Sequence, residues 1–138
     1  MAINDIDLTF SDAQAITTAA ATPSTNIVDL VSAGVFVDQD VEFCARVNTT
    51  CTSDGSATVT CTLQMDNDAA FGSPTTVQAS SAIAVASLVG GYTFLNIRLP
   101  VSSLERYLRV LWTVAVADLT AGKFDAQLNG GMSVGAVV

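Results

Sequence analysis

The sequence predicts an all-β protein, an antiparallel β-sandwich or jelly roll of about eight strands, folded as a single domain over residues 1–138. Three observations predict it. Apolar residues recur with a period of two in one run after another. Clusters of Gly, Pro, Asn, Asp and Ser separate the runs, as turns require. Charged residues make up only 13% of the chain, against roughly 25% in an ordinary soluble domain, so much of the surface is neutral. A chain of 138 residues buries one real core and leaves little room for a second domain.

Each element has its own signal. Asn4–Phe10 sends Ile6, Leu8 and Phe10 to one side. Ser11–Thr22 is rich in Ala and Thr; it reads either as a short helix capped at Ser11 or as extended chain laid on the sheet, and Pro23 stops it. Residues 1–25 can thus form an extended N-terminal arm. Asn26–Val31 is a short apolar strand. Asp40–Val47 turns Val41, Phe43, Ala45 and Val47 inward, and Asn48–Gly55 follows as a polar loop ending in the turn Ser53-Asp54-Gly55. Ser56–Met65 alternates without a fault: Ala57, Val59, Cys61, Leu63 and Met65 against Ser56, Thr58, Thr60, Thr62 and Gln64. The threonines suit an outer face because they are β-branched yet polar.

Asp66–Pro74 is a loop, and Ala79–Leu88 fits a strand or a short helix. After the Gly90-Gly91 turn, Tyr92–Leu99 places Leu95, Ile97 and Leu99 inward and Tyr92, Phe94, Asn96 and Arg98 outward. Pro100–Ser103 turns into the longest strand, Arg106–Val116. Its Leu108, Val110, Trp112, Val114 and Val116 point inward, with Tyr107, Arg109, Leu111 and Thr113 outward. Ala117–Gly122 leads to Lys123–Val134, which bends at Gly130-Gly131. The last charge is Asp125, so residues 130–138 form a neutral C-terminal tail.

Composition removes several functions. The net charge is −8, and Arg46, Arg98, Arg106, Arg109 and Lys123 are too few to neutralise a line of phosphates or an anionic membrane. There is no histidine, so Ser-His-Asp and Cys-His catalysis are excluded. Residues 69–97 carry no charge, but Gly72, Pro74, Gly90, Gly91 and many hydroxyls break them up, and no membrane span is expected. The first residues lack a basic region and an apolar stretch, so the expected site of synthesis and folding is the cytoplasm, with any exit inside a larger particle.

The motifs that resemble chemistry are incomplete. Cys44, Cys51 and Cys61 have no metal-ligand spacing and read as free thiols used as small hydrophobes. Asp66-Asn67-Asp68 opens like a calcium loop but lacks Gly at the sixth position and Glu at the twelfth, so it reads as a polar turn. Asp5 with Asp7, and Asp38 with Asp40 and Glu42, alternate with apolar residues as a solvent face does. No catalytic, cofactor-binding or metal-binding residues are assigned, and no enzymatic activity is expected. The candidate partner interface is Tyr92, Phe94, Arg98, Arg106, Tyr107 and Arg109, because outward aromatics beside arginine have the composition of interface hot spots. The same arginines equally suit the balancing of nearby acids.

Leu8-Thr9-Phe10-Ser11-Asp12-Ala13-Gln14-Ala15 and then Asn26-Ile27-Val28-Asp29-Leu30 resemble the start of a family of tailed-phage capsid cement (decoration) proteins, of the type described for a Bordetella phage. Asp68-Ala69-Ala70-Phe71-Gly72-Ser73-Pro74, Arg106-Tyr107-Leu108-Arg109-Val110 and Thr120-Ala121-Gly122 continue the resemblance in order. It implies a jelly roll on the exterior of an icosahedral head, without cofactors, that ties major capsid protein subunits together. It also implies a homo-oligomer, a dimer at two-fold axes ahead of a trimer. The three cysteines, the longer 48–55 loop and the neutral tail depart from the family pattern. Two other readings compete: a carbohydrate-binding jelly roll on a virion or cell surface, using the outward aromatics and the Asp66/Asp68 turn, and a fimbrial-type subunit. The last ranks lowest, because such subunits carry a signal peptide and a disulfide pair and neither is expected from this sequence.

Overall fold

Alternation that buries every second residue builds strands, and strands are almost all the structure contains. The computed structural model describes residues 8–30, 41–99 and 103–130. These form β1 (Thr9–Ala15), β2 (Ala21–Pro23), β3 (Val28–Asp29), β4 (Val41–Thr52), β5 (Thr58–Asp66), β6 (Thr75–Ala79), β7 (Ile83–Ala84), β8 (Thr93–Arg98), β9 (Tyr107–Ala115) and β10 (Ala121–Gly130). A 3-10 turn, Val85–Ser87, lies between β7 and β8. No helix among the described residues is long and apolar enough to cross a membrane.

The strands pair antiparallel in two sheets. One runs β1-β10-β4-β8; the other runs β2-β9-β5-β6, with β3 also paired to β9 and β7 also to β5. Because β2 and β3 share a place, as do β6 and β7, ten strands fill eight positions. Numbered by position along the chain, the sheets read 1-8-3-6 and 2-7-4-5, the interlocked Greek keys of a jelly roll. The predicted fold class is the observed one.

The inward residues of both sheets meet in one apolar cluster. Trp112 of β9 stacks on Phe124 of β10 at 4.8 Å between centroids and meets Phe94 of β8 edge-on at 5.5 Å. Its indole N–H donates to Ser11 Oγ on β1 at 3.1 Å, which satisfies the one polar atom of the largest core side chain. Cys51 and Cys61 are buried in this cluster as free thiols, while Cys44 is half-buried on the other side of β4.

Several sequence expectations are corrected here. Of the two readings of Ser11–Thr22, the helix does not form and the extended chain does: β1 and β2 take up most of it, one in each sheet. Within β1 the register slips between Thr9 and Ser11 and again before Gln14. There Ala13 adopts a left-handed φ of 50°, and its freed N–H donates to Asp125 Oδ1 at 2.7 Å. The polar 48–55 loop is shorter than expected, because β4 continues to Thr52. Its extra residues pair with the start of β10 and accept the 88–91 turn, as in Cys51 N–H to Leu88 O at 2.8 Å. β6 was not predicted, since Thr75–Ala79 is an edge strand without an alternating apolar face. Val116 falls outside β9, exposed and at a φ of 75°, where the strand ends in its turn. The strand expected over residues 4–7, the bend at Gly131 and the tail 131–138 lie outside the described residues.

Candidate interaction face

The two outer faces of the sandwich differ in chemistry. On the β1-β10-β4-β8 sheet, the outward positions include Asp12, Glu42, Arg46, Arg98, Lys123 and Asp125, and Glu42 sits directly across from Arg98. The outward positions of the other sheet are Thr58, Thr60, Thr62 and Gln64 on β5, facing Ala115, Thr113, Leu111 and Arg109 of β9 in register. β2 extends the same rows with Ala21 beside Thr113 and Pro23 beside Leu111. Among the described residues of these strands the charges are Asp29, Asp66 and Arg109.

All three charges are fixed by neighbours. Asp29 at the rim binds Arg106 with both carboxylate oxygens, Nε at 2.9 Å and a terminal nitrogen at 3.1 Å. Asp66 is 7% exposed, and its two oxygens accept the N–H groups of Asp68 and Ser73, each at 3.0 Å. Asp68 Oδ1 in turn accepts Ala70 N–H at 3.0 Å. Asp66-Asn67-Asp68 is thus a chain of turns closed by the two carboxylates, which bond their own backbone a few residues on, while Asn67 Oδ1 accepts the Arg106 N–H at 3.3 Å. The loop it shapes delivers Phe71, at a left-handed φ of 52°, onto the outer face. Arg109 lies over that ring at 4.4 Å and donates from Nε to Gln64 Oε1 at 2.8 Å. Sequence reasoning missed both supports. Phe71 sits in a loop, and only the register of β5 against β9 reveals Gln64 as the neighbour of Arg109.

The six residues read as an interface are not brought together. Phe94 and Arg98 lie on β8 of the first sheet with Tyr92 just before it, and Tyr107 and Arg109 on β9 of the second with Arg106 just before it. Phe94 is corrected outright: it is 9% exposed and packs in the core against Trp112 and Phe124. The cause is a bulge. Ala45 pairs with Leu95 and Arg46 with Thr93, so Phe94 is the extra residue, and it turns inward out of phase. Tyr92 is half-buried and meets Phe94 edge-on at 5.7 Å. Arg106, besides gripping Asp29, covers the Tyr107 ring at 4.9 Å, so it does balance a nearby acid.

The charged face holds a shallow depression of about 270 Å³, lined by Thr9, Ser11, Asp12, Cys44, Arg46, Asp125 and Gln127. Its groups serve the fold. Asp125 holds the Ala13 amide, takes a hydrogen bond from Asn48 Nδ2 at 3.1 Å, and lies 3.8 Å from Arg46 Nε. Burial pushes the Cys44 thiol up, against the pull of Arg46, so the group is a poor nucleophile at neutral pH.

A comparison with curated proteins finds no match. A protein-family model described as Bbp16 matches residues 10–128, from the second residue of β1 to near the end of β10.

Proposed function

The chain belongs to the Bbp16 family, whose name denotes a Bordetella phage protein, and from that premise we propose that it is a capsid cement protein. It binds the outside of the icosahedral head and stabilises contacts between major capsid subunits. It acts by binding alone, in many copies, as a homo-oligomer. The observation that supports this reading most is the uneven sandwich. A chain of net charge −8 carries one broad, half-exposed sheet face that holds threonines, small residues, Gln64, Leu111 and a single braced arginine. A face of that kind suits an extensive flat contact, because few charges must be stripped of water to form it. Many interfaces of roughly 800 Å² per partner, each modest, add up across a closed shell to a strong mechanical constraint.

The test is to delete the gene and compare particles. Heads without the protein should lose infectivity faster under heat and osmotic shock, and adding back purified protein should restore survival. Equal survival of both particle types removes the cementing role.

A further inference from the structure

We propose that the outer face of the β2/β3-β9-β5-β6/β7 sheet seats the protein on the capsid shell. We further propose that the shell presents there a neutral surface of hydroxyl and amide groups, with a carboxylate opposite Arg109. This rests on the cement reading and adds to it the face and the chemistry of the partner.

Three observations carry it. The first is asymmetry: the strands of the other sheet hold Asp12, Glu42, Arg46, Arg98, Lys123 and Asp125, whereas this face presents Arg109 and the rim pair Asp29–Arg106. Were the partner surface basic, an acidic chain would meet it with carboxylates, since interfaces match potentials. The docking face instead offers one exposed strand acid, Asp29, already gripped by Arg106, which fits a neutral or acidic shell. The second is rigidity. Thr58, Thr60, Thr62 and Thr113 are β-branched and held in the ladder, so little side-chain freedom is left to lose on contact, and each hydroxyl can exchange water for a partner group. The third is Arg109 itself. The Phe71 ring below it and Gln64 beside it hold the guanidinium in place before binding, with N–H groups left to grip a carboxylate. A second copy of this chain is a poor occupant, because the carboxylates its own strands bring are already engaged, Asp29 by Arg106 and Asp66 by the backbone of its loop.

The experiment uses purified heads from a phage lacking the gene, with binding of the added full-length protein followed by co-sedimentation. Thr60→Glu and Arg109→Gln should each weaken binding at least tenfold. Gln127→Glu, on the opposite outer face, should change it less than twofold, with thermal unfolding confirming that each variant folds. If Thr60→Glu does not fold, Leu111→Ser takes its place. Binding by wild type that is untouched by the face variants, or is lost in Gln127→Glu instead, overturns the assignment. So does conversion of a head-free oligomer to monomer by Thr60→Glu in sedimentation equilibrium, which would make this a contact between copies. Failure of wild-type protein to bind heads at all overturns the cement reading itself, and is thereby told apart from a wrong face.

Discussion

Single side chains show how finely the core is fitted. Gly122, at a φ of 153°, passes so close to β4 that a Cβ there would come within 2.7 Å of Cys51 Sγ. That contact keeps Cys51 buried, and burial pushes its thiol from 9.0 up to about 11, with the Cys61 thiol pushed higher still. The folded state therefore keeps protons that the unfolded chain gives up. Stability from this source is complete below pH 9 and is lost as pH rises toward 11. The urea midpoint should fall across that window, and the fall should be shallower in Cys51→Ala. An identical decline in both proteins would mean that the thiol does not contribute. The identities of the core residues were readable beforehand, because Trp112, Val59, Cys61 and Leu63 lie in faultless alternation. The close approach of Gly122 to Cys51 was not, since 71 residues of chain separate them.

At the scale of elements, most strands were legible and two kinds of departure were not. β6 carries no apolar stripe, because Val77 is its one large apolar residue among Thr75, Thr76, Gln78 and Ala79. Bulges break the period of two without any mark in composition. The bulge in β8 has the larger consequence, since it moves Phe94 from the surface to the ring cluster with Trp112 and Phe124. Phe94→Ala should therefore cost roughly 3–5 kcal/mol of stability, the usual loss when a core phenylalanine is truncated. Urea unfolding measures that loss, and the folded fraction should bind heads as wild type does. A variant that keeps wild-type stability but loses binding would return Phe94 to the surface. The loop after β5 was read correctly as a polar turn, but its role in carrying Phe71 under Arg109 depends on a contact across strands.

For the whole molecule, the governing quantity is the net charge of −8, which the cement reading would bring together in many neighbouring copies. If the docking face is neutral apart from Arg109, salt should help assembly, because screening the repulsion between acidic neighbours outweighs the weakening of one ion pair. Raising ionic strength from 0.01 to 0.15 M shortens the screening length from about 30 to about 8 Å. The number of copies bound per head at fixed protein concentration should rise over that range, as read by co-sedimentation. A fall would show that attraction between opposite charges holds the protein on, contrary to a neutral face.

The sequence by itself determined the class of fold, because alternation and turn chemistry are local and each strand carries its own copy of the signal. It also determined the scarcity of charge and the absence of histidine, which composition states directly. The tertiary structure alone decided which side of the sandwich each outward residue occupies. Arg98 and Arg109 are near in the chain, yet the path from β8 to β9 crosses from one sheet to the other and sets them on different faces. The neutral face likewise exists only after folding. Pairing β5 with β9 and β9 with β2 joins the threonines of one stretch, Leu111, Thr113 and Ala115 of a second and Ala21 and Pro23 of a third into one surface, and long-range strand order leaves no local trace in any of them.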